Sequence, residues 1–162
     1  MAAMTLETTA TRLWKRLGPA ERLAAATHLV AEPAPEAMAA AFAAIVRVRH
    51  MRPQAVRAMS PDTQARTIAT LLEPGESLAA SLLVALHLGD RRPLLRAFLD
   101  GLGLPHEDGI LKEEDAAMPA ATLAEGRKGV EALASFPAEQ VAMYLNTLYL
   151  QDPDRWAVVA EI

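Results

Sequence analysis

No cysteine occurs in the 162 residues. That single absence removes disulfides, thiolate zinc sites, iron–sulfur clusters and cysteine nucleophiles together. Aromatic residues are scarce, at 4%, so a core must be packed by Leu, Ala, Val, Ile and Met. Small alanine faces let helices approach closely and favour compact helical packing over a large ligand cavity. Long apolar runs are missing too. The longest, Leu78 to Leu88, is broken by Ser81 and His87 and falls short of the roughly 18 residues that a membrane span needs. The opening MAAMTLETTATRLWKR carries Glu7 and no apolar block of signal-peptide length. These absences predict a soluble, cytoplasmic protein with no membrane partner.

Recognisable catalytic spacings are absent as well. The four histidines and the carboxylates form no HxxE, HxxxH or HExxH pattern, the serines and threonines form no nucleophile elbow, and no glycine-rich phosphate loop occurs. Gly101-Leu102-Gly103 reads as a helix stop. No catalytic residue, metal or cofactor is therefore expected, and a non-enzymatic role is favoured.

Proline, by contrast, is plentiful: eleven residues, most of them opening runs of Ala, Leu, Met, Arg, Glu and Gln. Proline at the first helical position has a helix-compatible φ, and its missing N–H has no intrahelical partner to lose there. Inside a helix it would cost about 3 kcal/mol. The pattern predicts an all-α fold, one domain over residues 1–162, built as an irregular array of eight to ten short helices with proline-initiated corners. Expected helices cover 5–17, 19–31, 35–51, a short one from Pro53, one from Pro61, then 76–88, 92–102, 119–134, 137–150 and 153–160. Ser60-Pro61-Asp62 is the clearest start, combining a cap, a proline and an acidic first turn. Val46-Arg47-Val48-Arg49 alternates like a strand, but the long alanine run before it favours helix. Residues 104–118 lack helical periodicity, carry an Asp108-Gly109 turn signal and are expected to form an irregular acidic loop.

Charge is unevenly placed. Residues 1–100 hold 12 basic and 9 acidic side chains, whereas residues 101–162 hold 4 and 11. Docking of the two halves is the simplest expectation. The densest basic segment, Arg47 to Arg66, contains Arg47, Arg49, His50, Arg52, Arg57 and Arg66 against Asp62 alone. It would suit a nucleic-acid adaptor only if aligned on one exposed face. The absence of lysine and stacking aromatics there, with a net charge of −4, favours pairing with carboxylates instead.

The strongest ligand constellation is His87, Arg91, Arg92 and Arg96 around the Gly89 corner, with His106 and Glu107 in the following loop. Arg92, Arg96 and Asp100 are four apart and share a helix face. Arginines beside a proline-started helix N-terminus suit a carboxylate or phosphate. The ordinary alternative pairs Arg96 with Asp100 and leaves His87 as a core-edge histidine. Adjacent His106, Glu107 and Asp108 cannot all face one ion, so they read as a polar turn. The sequence thus predicts a binding module for a protein or a small anionic ligand. Its partners would include a second copy of itself as a homodimer; Trp14, Tyr144, Tyr149 and Trp156, near the two chain ends, are expected either to pack the terminal helices against the body or to form such a seam. An enzyme on an anionic metabolite and the nucleic-acid adaptor are the alternatives.

Overall fold

Helix starts in the computed structural model follow the capping chemistry closely, across the described residues 5–112 and 119–162. Pro19, Pro35, Pro53, Pro61 and Pro153 each open a helix. Ten α-helices, one short 3-10 helix and one two-stranded hairpin make up the regular structure of the described residues. The fold class is all-α, and no helix among the described residues is long and apolar enough to cross a membrane. Packing separates the chain into two units, Thr9–Asp90 and a second formed by Arg91–Ile162 with the segment preceding Thr9.

The first unit contains α1 (Ala10–Arg16), α2 (Pro19–Ala31), α3 (Pro35–Arg49), α4 (Pro53–Arg57), α5 (Pro61–Ala69) and α6 (Glu76–Leu88). Helix α6 is its centre, burying Leu78, Ala79, Leu82, Leu83, Ala85 and Leu86 and contacting α1, α2 and α3. A helix apolar on nearly every side has to be enclosed in this way. Helix α2 crosses α5 and α6 over the fully buried Ala25 and Ala26. Trp14 is fully buried, and its indole N–H donates to the Leu71 carbonyl at 2.6 Å, as a desolvated indole requires.

Two ends in this unit are capped from a distance or locally. The Glu76 carboxylate accepts from the Ala10 and Thr11 amides and the Thr11 hydroxyl, supplying acceptors for α1 amides that have no intrahelical partner. Desolvation opposes ionisation of Glu76, but these hydrogen bonds outweigh it and hold the carboxyl below its ordinary value. Ser60 Oγ accepts from the Thr63 amide at 3.2 Å, as the sequence predicts. Helix α3 runs through Val46 to Arg49 and ends on left-handed His50, so the alanine-rich context overrides the strand-like alternation.

The second unit contains α7 (Arg92–Leu102), β1 (His106–Glu107), β2 (Ile110–Leu111), α8 (Leu123–Glu131), α9 (Ala138–Gln151), α10 (Pro153–Trp156) and a closing 3-10 turn, Ala157–Glu161. Helices α7 and α8 cross at two buried or half-buried glycine positions. A Cβ at Gly101 would lie 2.5 Å from Ala132 Cβ, and one at Gly129 would lie 2.5 Å from Phe98 Cε2. Phe98 is packed edge-on against Tyr144 and tilted against Trp156, with centroids 5.2 and 5.6 Å away. The segment before Thr9 is held to α9 by a reciprocal pair: the Glu7 amide donates to Asn146 Oδ1, and Asn146 Nδ2 donates to the Glu7 carbonyl.

Three sequence expectations change here. Helix α1 begins at Ala10, because Thr9 caps it through the Arg12 amide. Helix α8 begins at Leu123 rather than at Pro119, because Thr122 and Glu125 form a reciprocal capping box. The loop expected over 104–118 contains an antiparallel hairpin, with His106 opposite Leu111 and Glu107 opposite Ile110; residues 113–118 lie outside the described residues. Asp108 and Gly109 make its two-residue turn with φ of 49° and 89°, the signs that a right-twisted hairpin prefers.

Candidate binding sites

Of the six residues singled out from the sequence, His87 belongs to the first unit, and Arg91, Arg92, Arg96, His106 and Glu107 to the second. His87 is 3% exposed, and its Nδ1–H donates to the Leu83 carbonyl one turn back at 2.8 Å. That contact fixes the proton on Nδ1 and gives the ring a structural place in α6. Arg91 is 6% exposed and stands at the N-cap of α7. Glu107 is exposed on β1.

Arg92 and Arg96 do converge, but on a carboxylate of the chain itself. Arg92 Nη1 lies 2.7 Å from Asp108 Oδ2, and Arg96 Nη1 lies 3.1 Å from Asp108 Oδ1. The Asp108 carboxyl titrates below its usual range, first through the Arg92 hydrogen bond and then through the charges of both arginines, against a desolvation penalty. The hairpin turn thus inserts an internal anion where the sequence suggested an external one. Arg96 therefore pairs with Asp108, and Asp100 pairs with His106 instead.

His106 Nε2 stands 2.8 Å from Asp100 Oδ1, and the Gly109 amide donates to His106 Nδ1 at 3.1 Å. An accepting Nδ1 places the ring proton on Nε2, pointing at Asp100. The ring therefore braces the hairpin against α7. Among the described residues, no group of three or more histidine or carboxylate side chains converges on a metal-sized site.

Two recesses combine unsatisfied chemistry with space. The first is an apolar groove of about 280 Å³ in the first unit. It is lined by Met38, Phe42 and Ile45 of α3, Val56 of α4, and Gln64 and Ile68 of α5. Prolines 53 and 61 break this part of the chain into short helices, and the pieces leave the Phe42 side of α3 incompletely covered. The Arg57 guanidinium sits 5.4 Å from the Phe42 ring centroid, within cation–π range.

Arginines of the segment 47–66 are exposed. Arg66 pairs with Asp62 at 2.9 Å, and Arg49 donates to the Thr70 hydroxyl. Arg47, Arg52 and Arg57 form no ion pair among the described residues. Among the described residues, the carboxylate pairing in this segment is the one-turn Arg66–Asp62 pair of α5.

The second recess, of about 260 Å³, lies in the second unit between the end of α7, the start of α8 and α10. Leu102, Leu104, Ala121 and Trp156 give it apolar surface; Glu125 and Arg155 give it one charge of each sign. Arg155 lies 5.0 Å from the Trp156 ring. A broader, open depression of about 910 Å³ near Val48 and Leu72 has its Lys15 and Glu73 already paired.

Neither recess is visible in the sequence. The groove arises from how three proline-started helices meet, and Arg155 is an isolated arginine whose neighbours come from distant segments. A heptad-like stripe at Met38, Phe42 and Ile45 is the one readable trace, and it looks the same as any buried face. No known protein family, curated protein or solved structure matches this chain.

Proposed function

We propose that the chain is a non-enzymatic helical binding module that holds an apolar segment of an acidic protein partner in the α3–α5 groove. A cytoplasmic setting, which the cysteine-free composition accommodates, belongs to the same proposal. The groove's lining carries the reading: five of the six side chains named above are apolar, and Gln64 is the polar one. Side chains spaced one helical turn apart on a partner suit such a groove. Arginines mark both ends of the helix forming one wall, since Arg52 is the N-cap of α4 and Arg57 its last residue. Exposed guanidiniums without carboxylate partners favour acidic residues flanking the apolar anchors and disfavour basic ones.

The test is a titration of isotope-labelled protein, followed by amide chemical shifts. The probe is a synthetic amphipathic peptide with Leu and Phe at helical spacing and Glu elsewhere. Saturable shifts at Phe42, Ile45, Val56 and Ile68 are expected, with weaker ones from the same peptide carrying Lys for Glu. Ala39→Glu places a negative charge at an exposed position of the groove and should abolish them. Equal response to both peptides, or none to either, refutes the reading. A dimer in sedimentation that Ala39→Glu dissociates would assign the groove to a second copy of the chain instead.

A further inference from the structure

We infer that the acidic partner proposed for the α3–α5 groove runs on into the open depression beyond it, an inference that rests on the groove reading. There an aliphatic side chain flanked by carboxylates would sit against Val48 and Leu72. The depression lies wholly within the first unit. Residues 47–49 at the end of α3, residues 70–73 after α5, and Lys15 of α1 line it. Val48 and Leu72 are 44% and 50% exposed. Apolar side chains exposed singly need no explanation, but these two line one concavity. Its charges are Lys15, Arg47 and Arg49 against Glu73 alone. Glu73 is matched by Lys15, Arg49 donates to the neutral Thr70 hydroxyl, and Arg47 forms no ion pair among the described residues. The positive charges of Arg47 and Arg49 are therefore left over. Both arginines stand in the last turn of α3, where cations complement the helix dipole. That gives the charges a local role but leaves the exposure of Val48 and Leu72 unaccounted for.

The shape and lining select a polypeptide. A pocket for a small molecule encloses most of its ligand, whereas this depression, about 910 Å³, is open along its length and suits a chain laid across it. No aromatic side chain lines it, so nucleic-acid bases find no stacking platform. A bilayer is flat and is entered by side chains that project; here Val48 and Leu72 wall a concavity that also contains the buried Leu71. Surplus guanidiniums beside aliphatic surface call for carboxylates beside an aliphatic side chain, an arrangement that complementary charge steers and holds in register.

The same two helices border both recesses. Arg49 stands one turn beyond Ile45 of the groove, on the same face of α3. Its guanidinium donates to Thr70, the C-cap of the helix whose Gln64 and Ile68 line the groove. Val48 is three residues past Ile45, about 4.5 Å of helix rise, a distance that an extended chain covers in about two residues. A segment anchored in the groove therefore reaches the depression with little added length, and its second contact becomes intramolecular.

The experiment uses the full chain, isotope-labelled, and the amphipathic Leu/Phe/Glu peptide described above. That peptide is compared with two longer forms carrying the tail Asp-Glu-Leu-Glu-Asp, one at each end. One tailed form should bind at least about tenfold more tightly than the parent peptide and add saturable amide shifts at Val48 and Leu72 to those at Phe42 and Ile45. A tail with Lys in place of Asp and Glu should give no gain. Leu72→Asp alters an exposed position outside the groove, so it should stay folded by circular dichroism. In that variant the tailed peptide should fall back to the affinity of the parent peptide, with the Phe42 and Ile45 shifts retained. Groove shifts without any gain from either acidic tail overturn this inference and leave the groove reading standing. Absence of groove shifts with every peptide overturns both. An equal gain from the lysine tail, or a gain that survives Leu72→Asp, also overturns the inference. Phosphatidylglycerol vesicles that shift Val48 and Leu72 when no tailed peptide does would assign the surface to a membrane instead.

Discussion

Replacing Gly129 with alanine should destabilise the second unit, although helix propensity alone predicts the reverse. Gly129 lies in α8, where alanine is worth up to about 1 kcal/mol over glycine. Against that gain stands the Phe98 ring. The new Cβ would sit 2.5, 2.9 and 3.0 Å from Phe98 Cε2, Cδ2 and Cζ, well inside van der Waals contact. Phe98 has little room to yield, because it is buried and flanked by Tyr144 and Trp156. Overpacking of this kind costs about 1–3 kcal/mol; a ring with so little room puts Gly129 in the upper half of that span, so after the gain of about 1 kcal/mol the net effect should be a loss of about 1–2 kcal/mol.

Gly126 provides the internal contrast. Its Cβ would meet the Ile162 Cδ1 methyl at 2.8 Å and Val158 Cγ1 at 3.2 Å. Ile162 is only half-buried, so its methyl can move aside. Gly126→Ala should therefore hold or raise stability by up to about 1 kcal/mol. Urea unfolding by circular dichroism, with amide exchange of α8, measures both variants. Trimming the ring with Phe98→Leu in the Gly129→Ala background should make the two changes non-additive, as contacting sites require. A Gly129→Ala protein as stable as the parent refutes the close crossing of α7 and α8.

Glu76→Ala should cost about 1–2 kcal/mol, the scale of a lost helix cap with charged hydrogen bonds, and amide exchange should rise first at Ala10 and Thr11. Glu76, Asp108 and Glu125 all titrate below their ordinary values. Their stabilisation is therefore complete above the ordinary carboxylate pKa values and is lost as pH falls through the lowered folded-state values; urea midpoints should fall on acidification, and less steeply in Glu76→Gln. Leu86→Ala, in the centre of α6 at a fully buried position, should cost about 2–5 kcal/mol by leaving a cavity, read from the same urea curves. Asp108→Asn should keep the left-handed turn while releasing Arg92 and Arg96, so inorganic phosphate should perturb the Arg92 and Arg96 side-chain signals more in the variant than in the parent.

Helix placement was largely legible because proline and capping chemistry act within four residues. Five prolines open helices where the first-position rule puts them. Pro119 does not, since Thr122-Leu-Ala-Glu125 supplies a stronger start three residues later; that signal was in the sequence and outweighed by the proline. The Asp108-Gly109 turn was equally local, but strands of two residues are too short to show a period. The candidate sites were harder for a physical reason. Spacing places Arg92 and Arg96 on one face, yet only the turn geometry brings Asp108 onto them. Whether an arginine such as Arg155 finds an acceptor depends on segments 30 and more residues away, which no local pattern records.

The same hairpin turn governs how this chain ages chemically. At an Asp–Gly step the glycine amide nitrogen can attack the preceding carboxyl and expel its hydroxyl as water, closing a succinimide that water reopens largely as isoaspartate. That attack needs a protonated carboxyl and an uncommitted amide. In the fold, two guanidiniums keep Asp108 ionised, and the Gly109 amide is donated to His106. Both requirements are therefore opposed while the chain is folded; unfolding frees the amide and returns the carboxyl to its ordinary pKa, where its protonated fraction is larger. Isoaspartate at position 108 would accumulate as a record of time spent unfolded, written into the backbone at one of the two Asp–Gly steps of this sequence, the other being Asp100–Gly101 within α7.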